Sequence, residues 1–128
     1  MLICRMAGIH QITPFVMTHD LDGALNFYCD ILGFTCGFQQ ENYAFVRCPG
    51  GALRLLEVAP DCEIGAQMVY MDCDDVNDVY DALRPRLDSL GADRVRAPFD
   101  QPYNQREFHV RDPDNCLLMY GTEIPAKD

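Results

Sequence analysis

Nowhere in the 128 residues does an apolar run approach the roughly 18 needed to cross a bilayer, so a helical membrane span is excluded. The opening segment MLICRMAGIHQ lacks the long apolar stretch of a secretion signal, and the sequence reads as that of a cytoplasmic protein. Basic residues are scarce: 10 Lys and Arg stand against 20 Asp and Glu, a net charge of −10. That balance repels nucleic acid and anionic membranes, so neither is an expected partner. It would attract a cationic ligand, and it serves solubility as readily.

Metal and disulfide signatures are also missing. No Cys-x-x-Cys pair occurs among the 7 cysteines, and the number is odd, whereas a disulfide scaffold favours an even count in a shorter, secreted chain. Cys36, Cys48 and Cys116 fall in strand-like runs, where cysteine behaves as a small hydrophobe. The 3 histidines form no i, i+4 pair or other compact metal motif, and none is placed in sequence to activate a cysteine. What remains is 48% hydrophobic and 23% charged, an ordinary soluble composition in a chain long enough for one domain with a sizeable core.

The sequence repeats itself. Residues 12–33, ITPFVMTHDLDGALNFYCDILG, read as a strand, a helix capped by Asp20 and a stop at Gly33. Leu21, Ala24, Leu25, Tyr28, Ile31 and Leu32 recur there at helical spacing. Residues 67–91 repeat the plan, with Asp75 as cap, Val76, Val79, Tyr80, Leu83, Leu87 and Leu90 as stripe, and Gly91 as stop. The caps lie 75 − 20 = 55 apart and the glycines 91 − 33 = 58, so the second helix is expected to be three residues longer, with a kink at Pro85. Three strand-like runs follow each helix: 34–40, 43–48 and 52–58, then 93–97, 105–111 and 116–122. Cys48-Pro49-Gly50-Gly51 and Asp112-Pro113-Asp114-Asn115 supply hairpin turn chemistry. The expected architecture is a single α+β domain over 1–128 built from two βαβββ modules, about 10–58 and 67–122, joined by the linker 59–66.

Two stretches on that frame resemble a known family. HDLDGALNFYCDILGF (19–34) and QPYNQREFHVRDPDNCLLMYG (101–121) are similar to signatures of the vicinal oxygen chelate superfamily. That superfamily includes glyoxalase I, extradiol dioxygenases, fosfomycin resistance enzymes and bleomycin resistance proteins. The REF-x-x-RDPD wording is closest to the bleomycin resistance branch, and the resemblance spans roughly residues 10–122. It implies two curled mixed sheets forming a cup with the helices outside. It also implies a homodimer whose cleft lies between subunits, often with an exchanged N-terminal segment, here residues 1–9. Function does not follow from such a fold, which hosts isomerases, oxygenases and plain binders.

Metal-dependent members place one ligand on the first strand and one Glu on the last strand of each module. Carried over, those positions fall on Thr13, Arg54, Met68 and Met119. None is a normal ligand for zinc or a hard divalent ion, and an arginine repels the cation. No metal and no other cofactor is therefore expected. Strand alternation supports the register: Glu57 and His10 have the opposite parity to Arg54 and Thr13, unless a bulge intervenes.

On the same parity Thr13, Phe15, Arg54, Leu56, Met68, Tyr70, Leu117 and Met119 line the cup. The resemblance adds Tyr103 and Arg106 at its rim, and Tyr43, Phe45 and Arg47 stand on the neighbouring strand. Aromatic and thioether groups suit a flat organic molecule. Arg54 needs a polar or anionic partner, with Asp72 and Glu107 as internal possibilities; without one, the ligand should supply a carboxylate, phosphate or similar group. The expected function is metal-independent binding of a small organic ligand, such as an antibiotic or aromatic metabolite, without turnover. The alternative is a metal-dependent lyase, isomerase or dioxygenase with displaced ligands among His10, His109, Asp72 and Glu57. A third reading is metal-free catalysis with Arg54 polarising a substrate and Tyr70 or His109 as acid or base.

Overall fold

Asp20 and Asp75 start the two helices. Each has extended backbone and takes a free amide of the first turn, Asp20 from Gly23 N at 3.2 Å and Asp75 from Asn77 N at 2.9 Å. The computed structural model describes residues 8–125, so of the segment 1–9 only Gly8 and Ile9 are included. The element order is β1 (Phe15–Thr18), α1 (Leu21–Leu25) running on into a π-helical segment (Asn26–Ile31), β2 (Thr35–Gln40), β3 (Tyr43–Cys48) and β4 (Gly51–Glu57). The second module repeats it with β5 (Met68–Asp72), α2 (Val76–Leu87), β6 (Val95–Asp100), β7 (Gln105–Arg111) and β8 (Leu117–Glu123), a short 3-10 turn at Ala92–Arg94 preceding β6.

Each module forms its own four-stranded sheet, ordered β1-β4-β3-β2 and β5-β8-β7-β6. In both, the first strand runs parallel to the last and the remaining pairs are antiparallel, which makes the sheets mixed and the fold α+β. Register repeats too: Phe15 stands opposite Arg54, and Tyr70, 55 residues later, stands opposite Met119. Neither sheet closes on itself.

The first helix departs from its expected periodicity. Leu32 N bonds Phe27 O at 3.0 Å, an i→i+5 closure, and Phe34 N bonds Tyr28 O at 2.9 Å before Gly33 ends the segment at φ +86°. The widened turn buries Phe27 beside Tyr28, although Phe27 lies outside the α-helical stripe. Counting both parts, this helix has 5 and 6 residues against the 12 of α2, so only one residue of the expected three-residue difference resides in the helix. The rest lies in the turn after α2, where Gly91 has extended backbone (φ −62°) and is not the helix stop. Pro85 falls near the C-terminal end of α2, which continues to Leu87; an amide lost so late costs only one rung of the ladder.

Helices and sheets share one core. Val16, Leu55, Ala44 and Val46 from the first sheet join Phe108, Val110 and Leu118 from the second, all buried, under Tyr28 and Leu87. These are the alternate strand positions facing the helices. The modules are clasped by the turn after β7. Asp112 Oδ2 accepts from the buried Tyr28 hydroxyl at 2.7 Å, while its Oδ1 accepts from the amides of Asp114 and Cys116 at 2.8 Å. Asp114 accepts from the Thr18 hydroxyl and from His19 N (3.1 Å) at the β1–α1 junction. Gln67 adds a third tie, its side-chain amide bonding both backbone groups of Met17.

Tyr28→Phe keeps the ring against Phe27 and Phe34 but leaves the Asp112 carboxylate short of a buried donor. It is expected to cost about 1–3 kcal/mol in urea unfolding followed by circular dichroism, with the m-value unchanged. A loss below about 0.5 kcal/mol, the range of ordinary surface substitutions, would show that the clasp does not hold the modules together.

Candidate ligand-binding faces

The strand positions that do not face the helices make one open face on each sheet. Among the large hydrophobics left exposed are Phe15, Met17 and Phe38 on the first and Met68, Tyr70 and Tyr103 on the second. Single exposed apolar residues are ordinary, but grouped ones mark a binding surface.

On the first sheet a row of side chains runs across all four strands. Phe15 stands opposite Arg54, Arg54 opposite Phe45, and Phe45 opposite Phe38. Phe38 reaches this face because β2 skips Gly37 in its pairing; strict alternation would have sent it with Cys36 to the helix side. The Arg54 guanidinium lies 5.2 Å from the Phe45 ring centroid and donates from Nε to the Thr13 hydroxyl at 2.7 Å and from Nη1 to the Tyr43 hydroxyl. Tyr43 stands between Phe15 and Phe38, with ring centroids 6.4 and 6.2 Å away.

The second open face is built on Glu107, a fully buried carboxylate in β7. Its Oε2 accepts from Tyr103 at 2.7 Å and Tyr70 at 3.0 Å; its Oε1 accepts from His109 Nε2 at 2.8 Å and Gln101 Nε2 at 3.0 Å. An ionised carboxylate only accepts, so His109 carries its proton on Nε2. Burial by itself would raise the Glu107 pKa, and the bonds from His109, Tyr103, Gln101 and Tyr70 outweigh it and hold the carboxyl below its usual range. The same arrangement, burial first and the bond to Glu107 second, pushes the Tyr70 phenol up. Gly121 makes room for that phenol, since a Cβ there would overlap the Tyr70 hydroxyl. A bulge in β6 brings Phe99 to this face, edge-on to His109 at 5.0 Å and stacked under Arg96 at 3.5 Å.

The expected site residues thus separate. Thr13, Phe15, Arg54 and Leu56 gather on the first open face, and Met68, Tyr70, Tyr103, Leu117 and Met119 belong to the second. Arg106 is a correction: it shares the parity of Phe108 and Val110, points away from the open face and pairs with the exposed Asp100 at 2.7 Å. Asp72 and Glu107 are not partners of Arg54, which meets no carboxylate among the described residues. Glu57 Oε2 instead accepts from Leu21 N at 2.7 Å, securing the start of α1. His10 is exposed outside any strand, and His109 is engaged by Glu107. Tyr70 is a poor base, because its phenol is held protonated.

Among the described residues no three His, Cys, Asp or Glu side chains are grouped to hold a metal ion. Thr13, Arg54, Met68 and Met119 do not fit one: an arginine bonded to a threonine occupies half of the set, and thioethers the rest. A groove of about 900 Å³ lies elsewhere, between the β3–β4 turn and α2, with Phe34, Leu53 and Leu83 on its floor and Asp74, Asp75 and Asp78 at its rim. Of the expected pocket residues only Tyr70 touches it.

The Glu107 cluster sets a pH signature. A depressed carboxylate stabilises the fold fully above its ordinary value, 4.5, and loses that contribution as pH falls through the lower folded value. Glu107→Gln turns an amide donor toward groups that donate, and is expected to cost about 1–3 kcal/mol at neutral pH. In urea unfolding across pH, the gap between wild type and variant should stay constant above about pH 5 and narrow below it. A gap that widens towards acid would contradict the assignment.

Comparison with known proteins agrees with this architecture. A family model described as Glyoxalase/Bleomycin resistance protein/Dioxygenase superfamily matches residues 8–120. A bleomycin resistance protein of Geobacillus stearothermophilus is 25% identical over 134 residues, covering 91% of this chain and 98% of that protein. The crystal structure of a bleomycin-binding protein complexed with bleomycin superposes with a TM-score of 0.76 at 22% identity, over 90% of this chain and 99% of that one. Lactoylglutathione lyase from Agrobacterium tumefaciens has the same fold, with a TM-score of 0.68 at 20% identity over 87% of this chain and 92% of that one. With nearly its whole length matched and both βαβββ modules in place, the chain belongs to the glyoxalase/bleomycin resistance protein/dioxygenase superfamily.

Proposed function

We propose that this protein is a metal-independent small-molecule binder that sequesters an aromatic compound, an antibiotic or a metabolite, without converting it. The observation that supports this most is the content of the four positions where enzymes of the superfamily hold their metal: Thr13, Arg54, Met68 and Met119, with Arg54 bonded to Thr13. Phe15, Phe38 and Met68, each more than half exposed, supply an apolar surface for a flat ligand. The relatives point the same way, since one is a bleomycin resistance protein and another was solved with bleomycin bound.

A single chain leaves both open faces unfilled, which supports a homodimer in which the first face of one subunit meets the second face of the other. No helix among the described residues is long and apolar enough to cross a membrane, and the proposed setting is the cytoplasm.

A neutral aromatic probe tests the reading. In protein with methyl-labelled methionine, naphthamide is expected to shift Met17, Met68 and Met119 saturably in the presence of chelator, while Met71, which faces the helices, stays unmoved. No shift of any open-face methionine would remove the reading. Bleomycin followed by calorimetry separates the drug-specific version: saturable heat at one drug per chain supports it, and no heat at high micromolar drug removes it.

A further inference from the structure

The first open face is cationic in a protein whose overall charge is −10. Arg54 sits at its centre, and Arg47 lies two residues from Phe45 on the same side of β3, its guanidinium packed where a side chain at Gly37 would stand. None of the strand residues that alternate onto this face is Asp or Glu. Glu57 on β4 has the opposite parity and is committed to Leu21 N, and Glu41 lies in the β2–β3 turn and makes no ion pair with Arg54.

From this we infer that the ligand of the first face is an aromatic molecule bearing an anionic group, a carboxylate, sulfonate or phenolate, that docks on Arg54. The inference rests on the reading of the protein as a binder and narrows its ligand class. Arg54 is half-buried, and its contacts are all neutral: the Thr13 and Tyr43 hydroxyls and the Phe45 ring. A guanidinium has five N–H donors in a fixed fork, so two hydroxyl contacts leave donors to spare for a bidentate acceptor. Removing such a cation from water without an anion is unfavourable, and the protein places none within 4.0 Å among the described residues.

A second subunit would not answer Arg54 through Glu107, because that carboxylate is already filled by Tyr70, Tyr103, Gln101 and His109. The tilted rings of Phe15, Tyr43 and Phe38, about 6 Å from one to the next, give the aromatic body a wall beside the cation. The anion is therefore recognised locally and against the net charge of the chain, so specificity here comes from one fork and its aromatic surround.

The test compares three probes of one shape: naphthoate, neutral naphthamide and naphthylmethylammonium, each titrated by calorimetry and by the methionine methyl spectrum. Naphthoate is expected to bind about tenfold or more tighter than naphthamide, and the cation weakest of the three. Arg54→Met should abolish the preference for naphthoate, lowering naphthoate affinity about tenfold or more and naphthamide affinity by less. Circular dichroism reports whether that variant folds. If it does not, salt decides on wild-type protein: naphthoate binding should weaken between about 0.05 and 0.5 M salt and naphthamide binding should not. Equal binding of naphthoate and naphthamide would overturn the inference and leave the binder reading standing, with Arg54 neutralised by other means, such as a carboxylate of a second copy. Tighter binding of the cation would overturn it as well. If none of the three moves Met17, Met68 or Met119, the binder reading itself falls and the inference with it.

Discussion

Everything on the open faces depends on a buried carboxylate that is not part of them. Asp112 sits in the turn between β7 and β8 and accepts from the Tyr28 hydroxyl of the other module at 2.7 Å. With Asp114 bonded to Thr18 and His19, it fixes how the two βαβββ units meet. Because both helices and both helix-side sheet faces are committed to one shared core, the remaining sheet faces have nowhere to bury themselves within the chain. The clasp therefore makes the open faces by exclusion. Burial of Asp112 raises its pKa despite the donors around it, so the protein maintains the clasp against an electrostatic cost.

The faces freed in this way are chemically unlike. One is a row of aromatic rings around an unneutralised arginine; the other is phenols, thioethers and a saturated carboxylate. A pseudosymmetric duplication has thus produced two open faces of different character from one backbone plan. Phe15 and Tyr70 occupy equivalent places, as do Arg54 and Met119, yet the first module sets a cation opposite its ring and the second a polarizable thioether. Thr13, Arg54, Met68 and Met119, where the resemblance puts the metal ligands of the superfamily's enzymes, carry side chains unsuited to a metal ion. The fold permits both outcomes, and the side chains at a few register positions decide between them.

Much of this was legible in the sequence, and the exceptions have physical causes. β3 and β7 fall at the bounds read from turn chemistry and alternation, 43–48 and 105–111, and both Asp caps were visible from local pattern alone. Phe27 was missed because the helix widens to i→i+5 after Leu25, which no α-helical stripe anticipates. Phe38 and Phe99 were missed because one extra residue in β2 and in β6 reverses the parity downstream of it. Arg106 was placed on the wrong side for a simpler reason: resemblance located its strand, but alternation, which turns Gln105 and Glu107 inward, was not applied to it. The Glu107 cluster was out of reach because its donors come from β5, the turn before β7 and β7 itself, and only tertiary structure brings them together.

As proposed, these faces receive an organic ligand and no metal. Manganese(II) added to methyl-labelled, metal-depleted protein tests it directly, since a paramagnetic ion bound at the superfamily's metal position would sit beside Met68 and Met119. Both resonances are expected to keep their linewidths at one equivalent of metal ion. Selective broadening of Met68 and Met119 at that ratio would contradict it.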